Sequence, residues 1–381
     1  MMRKKVLFIT GTRADYGKIK SLLRAVDEDE DFEVFVFVSG MHLLPQFGNT
    51  FREIEKDHYE NIYLAFGLAL TNDMSYNLGD VICELSGYIQ KVGIDMIVVH
   101  GDRIEALAGA IVGALKNVRV IHIEGGELSG TIDESIRHAI SKFAHIHMVC
   151  NDEARNRLIQ LGEEEARIYV IGSPDIDIML SPHLPAFPMC KKRYDIPFEE
   201  YGILMYHPVT TEYESISDRI SRVVGAVLES GENYIVIYPN NDLGSEIILE
   251  EYKKFSNSKR FRVFPSIRFE YFLTLLKNAK FIIGNSSAGI RESEIYGIPS
   301  IDIGSRQSGR YDENTIKNIQ HVKEDKEDIK NAIRKVEQYR FSGKHFGMGN
   351  STRMFLDILH QDEIWKFDIQ KKFIDLKWSN D

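Results

Sequence analysis

The chain has 381 residues, 43% hydrophobic and 27% charged, with 47 Lys and Arg against 57 Asp and Glu for a formal net charge of −10. At roughly 100–200 residues per domain, that length suggests two domains, each able to bury its own core. The negative balance argues against nucleic-acid and membrane-surface partners but leaves room for a small anion held by local donors. Cys83, Cys150 and Cys190 form no CxxC pair. They read as reduced thiols of a cytoplasmic protein, without a disulfide or zinc framework. The apolar run after "MMRKK" is too short for a signal peptide, and no run approaches the ~18 residues that would span a membrane.

The elements alternate between strand and helix. Lys5–Thr10 reads as a buried strand ended by Gly11, and "DYGKIKSLLRAVDED" as a helix with Asp15 as its N-cap. "FEVFVFVSG" is a second strand. Met74, Leu78, Val81, Ile82, Leu85 and Ile89 recur at helical spacing. "DMIVVHGD" predicts a strand, "IEALAGAIVGALKN" a helix and "RVIHIEGGE" another strand, while His145 and His147 alternate along a further one. The Pro-rich "SPHLPAFP" (181–188) reads as a linker between domains 1–181 and 182–359. A terminal helix at 360–381 is expected to pack back on the first domain. After the linker the rhythm resumes with "YGILMYHP", a helix near 215–230, "NYIVIYPN", a helix near 245–255 and "FRVFPSI". A helix marked by Phe269, Phe272, Leu273 and Leu276 follows, then "KFIIGNSS", a helix ended by Gly297, and "SIDIG" as the last strand. Strands apolar throughout need cover on both faces, which means parallel sheets between helices.

Ligands of such sheets bind beyond the carboxyl ends of the strands, here in a central cleft that two Rossmann-like domains would face. The polar residues past strand ends are therefore the candidates. In the first half these are Arg13 and Lys18, then Asp102, Arg103 and Glu105, then the stretch "EGGELSGTIDESIRH" with Glu124 and Asp133. Gly125 and Gly126 would let backbone approach a ligand closely. Glu134, Arg137 and His138 read as first-turn ion pairs of a helix. In the second half the candidates are His207, Asn240, Asp242, Ser286, Ser287, Glu292, Arg306 and Arg310. "GNSSAG" is a strand end, a glycine turn, two hydroxyls and a helix start. That corner suits an anion, or else the serines cap the helix. Glu292, a turn and a half further on, could bridge ribose hydroxyls. There is no GxGxxG, no P-loop and no readable metal motif.

"GTRADYGK", "HGDR", "HIEGGELSGTIDESIRHAISK", "HPVTT", "GNSSAGIRE" and "GSRQSGR" resemble the UDP-N-acetylglucosamine 2-epimerases, most of all the hydrolysing branch of sialic acid biosynthesis. The motifs run in order from about residue 4 to about residue 315. The resemblance implies a GT-B-like α/β fold and a homo-oligomer, dimer or tetramer. It implies conversion of UDP-N-acetylglucosamine and water to N-acetylmannosamine and UDP, with no cofactor. It also implies Asp102, Glu124 and Asp133 as catalytic carboxylates. Arg13, His207, Ser286, Ser287, Glu292 and Arg306 or Arg310 would bind UDP. The chemistry asks for such groups. The C2 hydrogen of an acetamido sugar is barely acidic until the leaving diphosphate makes C1 electron-poor. Elimination then needs a base, an acid and nearby anionic charge. Three alternatives stand beside this reading: a hydrolysing epimerase of a UDP-2,4-diacetamido sugar, a GT-B glycosyltransferase, and a UDP-sugar sensor without turnover.

Overall fold

The computed structural model describes residues 3–45, 48–68, 73–129, 132–239, 243–312 and 314–375. The chain forms two compact units, Met1–Ile178 with Phe346–Asp381, and Met179–His345.

The first unit is built on a seven-stranded sheet. Its strands are β1 (Lys4–Thr10), β2 (Phe32–Val38), β3 (Asn61–Leu64), β4 (Met96–His100), β5 (Arg119–Ile123), β6 (Ile146–Val149) and β7 (Ile168–Val170). They lie in the order β3-β2-β1-β4-β5-β6-β7, every neighbour parallel. Val6–Ile9 and Ile97–Val99 are buried on both faces, which is why these segments show no alternation. The second unit repeats the plan with β8 (Gly202–Met205), β9 (Tyr234–Ile237), β10 (Phe261–Phe264), β11 (Phe281–Gly284), β12 (Ser300–Ile303) and β13 (Ile319–Val322). Their order is β10-β9-β8-β11-β12-β13, again all parallel. Each sheet reverses its strand order once, between β1 and β4 and between β8 and β11. Those reversals are the switch points where open α/β sheets take ligands.

Three strands depart from the sequence reading. β3 and β7 were not anticipated, and "SIDIG" is not the last strand, because β13 follows it. All three are edge strands. An edge strand is covered on fewer sides and need not be continuously apolar, so "NIYL", "IYV" and "IQHV" carry a weak signal. The first helix, Arg13–Asp27, starts earlier than expected. Thr12 is its N-cap, and Asp15 is the third helical residue of a capping box that accepts from the Thr12 and Gly11 N–H groups. At the C-terminus, the helix Ser351–Leu359 lays Phe355, Ile358 and Leu359 on the first unit's core, and a short turn of helix, Glu363–Lys366, follows. The described chain beyond Lys366 carries no helix, so the element expected at 360–381 ends early. Among the described residues no helix is long and apolar enough to cross a membrane.

Candidate active site

In the first unit, the ends of β1, β4 and β5 bring charged side chains together. β5 ends at Ile123, and Glu124 follows with φ +61°, a left-handed backbone that a bulky residue holds only when its surroundings impose it. Its N–H donates to Met148 O at 3.0 Å, which fixes the turn. The buried carboxylate faces Lys18 Nζ at 3.4 Å and His100 Nε2 at 3.3 Å through Oε2, and accepts from the Ser173 hydroxyl through Oε1. Gly126 has φ +76°, and a Cβ there would lie 2.3 Å from Ala154 O. Close packing within the protein, against Ala154 and the His122 ring, is enough to require the Gly-Gly pair.

β4 leads into Gly101 and Asp102. The helix Ile104–Leu115 has Arg103 as its N-cap with no side-chain cap, so Asp102 is not spent on capping. Asp102 instead pairs with Arg137, which is almost fully buried and also holds Glu134 Oε2 at 3.1 Å and Glu127 O at 2.9 Å. The sequence reading gave Arg137 and Glu134 only first-turn ion pairs. That pair exists, but Arg137 also positions Asp102, a link between strand ends that no local spacing reveals. His122 supports the same corner, with Nε2 2.8 Å from Gly101 O and Nδ1 3.1 Å from Ser141 Oγ. Burial pushes this imidazole down to about 3, so it stays neutral.

Asp133, on the helix Ile132–Phe143, lies close enough for its charge to act on Arg103. Burial would lower the Arg103 guanidinium, but Glu105, then Asp15, Asp102 and Asp133, outweigh it and hold the group above its usual range. Arg13 sits on Glu53 at 2.9 Å. Lys18 lies between two carboxylates, Glu124 and Asp175, the second at 3.8 Å.

In the second unit, the β8–β11 switch point is organised by Asn285. Its side chain accepts from His207 N at 2.6 Å and donates to His207 O at 2.8 Å, tying the loop after β8 to the end of β11. Its own carbonyl accepts from Arg306 at 3.0 Å and from Gln307 at 2.8 Å. Arg310 in turn reaches Gln307 Oε1 at 3.4 Å. Gly284 has φ +135°, and a Cβ would overlap Met205 O, so only glycine lets β11 turn here. Ser286 accepts from Ala288 N at 3.3 Å, a local cap of the turn Ser287–Gly289, and Glu292 is buried at the start of the helix Arg291–Tyr296. Asn240 and Asp242 lie outside the described residues. Within their own units, the structure gathers Lys18, Asp102, Arg103, Glu124 and Asp133 around one switch point, and His207, Ser286, Ser287, Arg306 and Arg310 around the other. Sequence reasoning missed His100, Arg137, Ser173 and Asp175. Their only signal was position: His100 ends a strand, Ser173 and Asp175 follow one, and Arg137 sits inside the helix Ile132–Phe143.

Two parallel sheets of Rossmann order, one ending in paired acids and bases and the other in amide, hydroxyl and guanidinium groups, define a GT-B-like α/β protein. The model of the UDP-N-acetylglucosamine 2-epimerase family matches residues 24–360, and the chain belongs to that family. It is 47% identical over 378 residues to the UDP-N-acetylglucosamine 2-epimerase of Neisseria meningitidis serogroup B, covering 98% of this chain and 99% of that one. A UDP-N,N'-diacetylbacillosamine 2-epimerase (hydrolyzing) of Legionella pneumophila is 33% identical over 81% of this chain and 83% of its own. The fold matches a crystal structure of UDP-GlcNAc 2-epimerase from Neisseria meningitidis bound to UDP-GlcNAc. The TM-score is 0.79 at 17% identity, over 93% of this chain and 99% of that one.

Proposed function

We propose that the protein is a hydrolysing UDP-N-acetylglucosamine 2-epimerase that releases N-acetylmannosamine and UDP. The observation that carries this reading is the group of buried or paired carboxylates, Asp102 and Glu124, at the first unit's switch point. The 47% identity to a UDP-N-acetylglucosamine 2-epimerase supports it. The C1–O bond to UDP breaks as the C2 proton is removed, giving 2-acetamidoglucal. Water then adds across the double bond, oxygen to C1 and a proton to C2 on the opposite face. We assign the proton transfers and the stabilisation of positive charge at C1 to Asp102, Glu124 and Asp133. UDP recognition we assign to the second unit's His207, Ser286, Ser287, Glu292, Arg306 and Arg310, together with Asn240 and Asp242, and to Arg13, Lys18 and Arg103 on the first. No step draws on a cofactor. A homo-oligomer in the cytoplasm completes the reading.

A second reading, hydrolysis of a UDP-2,4-diacetamido sugar, is favoured by the likeness to the Legionella protein. Both are decided by supplying each sugar nucleotide in deuterated water and following products by NMR. The proposal expects UDP and N-acetylmannosamine carrying deuterium at C2 from UDP-N-acetylglucosamine. Turnover of the diacetamido substrate alone would replace it with the second reading, and binding of UDP without turnover of either would reduce the protein to a sensor.

A further inference from the structure

Behind Glu124 the first unit contains two polar side chains that the reaction above does not use. Ser173 and Asp175 follow β7, and both are fully buried. The Ser173 hydroxyl lies within hydrogen-bond reach of Glu124 Oε1 and Asp175 Oδ1 at once. Its backbone is pinned on both sides: its N–H donates to Phe346 O at 2.7 Å, and its carbonyl accepts from Ser351 Oγ at 3.1 Å. The Ser173 backbone is thereby held in place beside the two carboxyl groups.

A serine hydroxyl has one hydrogen and two acceptor sites. Between two ionised carboxylates it donates to only one of them. The other contact becomes a hydrogen bond only if that carboxyl brings a proton. The trio is thus one proton short of a continuous chain. Lys18 Nζ lies 3.4 Å from Glu124 and 3.8 Å from Asp175, so one ammonium faces both carboxyl groups. His100, at the end of β4, is a further titratable neighbour of Glu124, at 3.3 Å. The start of the helix Ser351–Leu359 is served by Asp177, which accepts from the Ser351 and Thr352 N–H groups.

We propose that Asp175, Ser173 and Glu124 form a proton relay in which Asp175 is the buried store for a proton that Glu124 accepts during turnover. The inference rests on the reading of Glu124 as a proton-transferring residue. When Glu124 accepts a proton, its O–H hydrogen passes to Ser173 Oγ as the hydrogen of Ser173 passes to Asp175. Glu124 is then a carboxylate again, Asp175 a carboxylic acid and Ser173 an unchanged hydroxyl, with no electrons exchanged. After product leaves, the reverse shift returns the proton to Glu124, which releases it to solvent and is a carboxylate again for the next turnover. Ser173 and Asp175 are positioning residues that act through Glu124.

The test is steady-state kinetics with UDP-N-acetylglucosamine on the full chain. Asp175→Asn keeps the size of the side chain but cannot store a proton. It is expected to lower kcat about 100-fold, to leave KM within about threefold, and to move the acidic limb of the kcat–pH profile by about one pH unit. Ser173→Ala should lose as much, and Ser173→Thr, which keeps the hydroxyl, should recover most of it. Wild-type kcat and pH profile in Asp175→Asn would overturn the relay, as would a Thr variant no better than Ala. If Asp175→Asn fails to bind UDP or to fold, the Ser173 pair decides. Loss of turnover in Glu124→Gln with normal Asp175→Asn sinks the relay alone. Retained turnover in Glu124→Gln removes the catalytic reading of Glu124 and the relay with it.

Discussion

Between β1 and β4 the first sheet ends in Thr12, Arg13, Asp102 and Arg103, while between β8 and β11 the second ends in His207, Asn285, Ser286 and Ser287. The strand orders are equivalent, but the bonds differ in kind. In the first unit the contacts join charged side chains, Arg137 to Asp102 and Lys18 to Glu124. In the second, a neutral amide, Asn285, ties one loop's backbone to another. Groups that must gain and lose protons have to be ionisable and held by partners that tolerate the change. Groups that only grip a diphosphate work best when fixed in advance by bonds that do not titrate. On the proposed reading, one topology serves chemistry in one unit and binding in the other.

The sharpest way to break this division is to neutralise the first unit's acids without changing their size. Asp102→Asn and Glu124→Gln are each expected to lower kcat by about 1000-fold or more, in the range of a lost acid–base group, while UDP affinity stays within about threefold. Calorimetric UDP titration beside initial rates is the measurement. A large loss of UDP affinity with catalysis of the bound fraction intact would mean that the acids bind instead of react.

A smaller effect is expected behind the carboxylate. Arg137→Met removes the partner of Asp102 and of Glu134. We predict a fall in kcat of about 100-fold with little change in KM, because misaimed charge costs transition-state stabilisation more than ground-state binding. A rise in KM alone would show that Arg137 serves substrate binding.

Why the sequence revealed Asp102 and Glu124 but not Arg137, Ser173 or Asp175 follows from geometry. Asp102 and Glu124 sit immediately past long, continuously apolar strands, where a switch-point argument looks. Ser173 and Asp175 sit past β7, a three-residue edge strand with a faint pattern. Arg137 lies at an ordinary helical position, and its role comes from reaching across 35 residues to Asp102. The strand ladder was legible wherever both faces are buried and faded at the edges β3, β7 and β13. The helix start slipped by a few residues because Asp15 caps from inside the helix, through a capping box.

In the second unit the equivalent stroke is Asn285→Ala. It strips two hydrogen bonds from the His207 backbone and frees the loop after β8. UDP should bind about 10- to 30-fold more weakly, about 1.4–2 kcal/mol, with kcat at saturation nearly unchanged. A drop in kcat larger than the drop in affinity would erase the division between the units.

The smallest expected effect compares two buried glutamates that the units treat in opposite ways. In the first, burial would raise Glu163, but His147 at 3.1 Å and then Lys371 outweigh it and hold it down at about 2. In the second, burial pushes Glu294 up to about 7, with only the His345 N–H at 3.4 Å opposing it and no hydrogen bond to Oε2 among the described residues. The signs follow from proton counts. Above about pH 4.5 the unfolded chain ionises both groups. Folded Glu163 is ionised there too and better paired, so its contribution is full at neutral pH and fades as pH falls from about 4.5 toward 2. Folded Glu294 keeps its proton where the unfolded chain has lost it, so stability declines as pH rises from about 4.5 to 7 and then levels. Glu294→Gln should therefore be more stable than wild type by about 1–2 kcal/mol near pH 8 and indistinguishable near pH 4. Glu163→Gln should be less stable near pH 7, with the deficit shrinking as pH falls toward 3. Thermal melts of the three proteins across pH 3–8 measure both slopes. Curves that run parallel to wild type would show that neither carboxyl holds the charge state assigned to it.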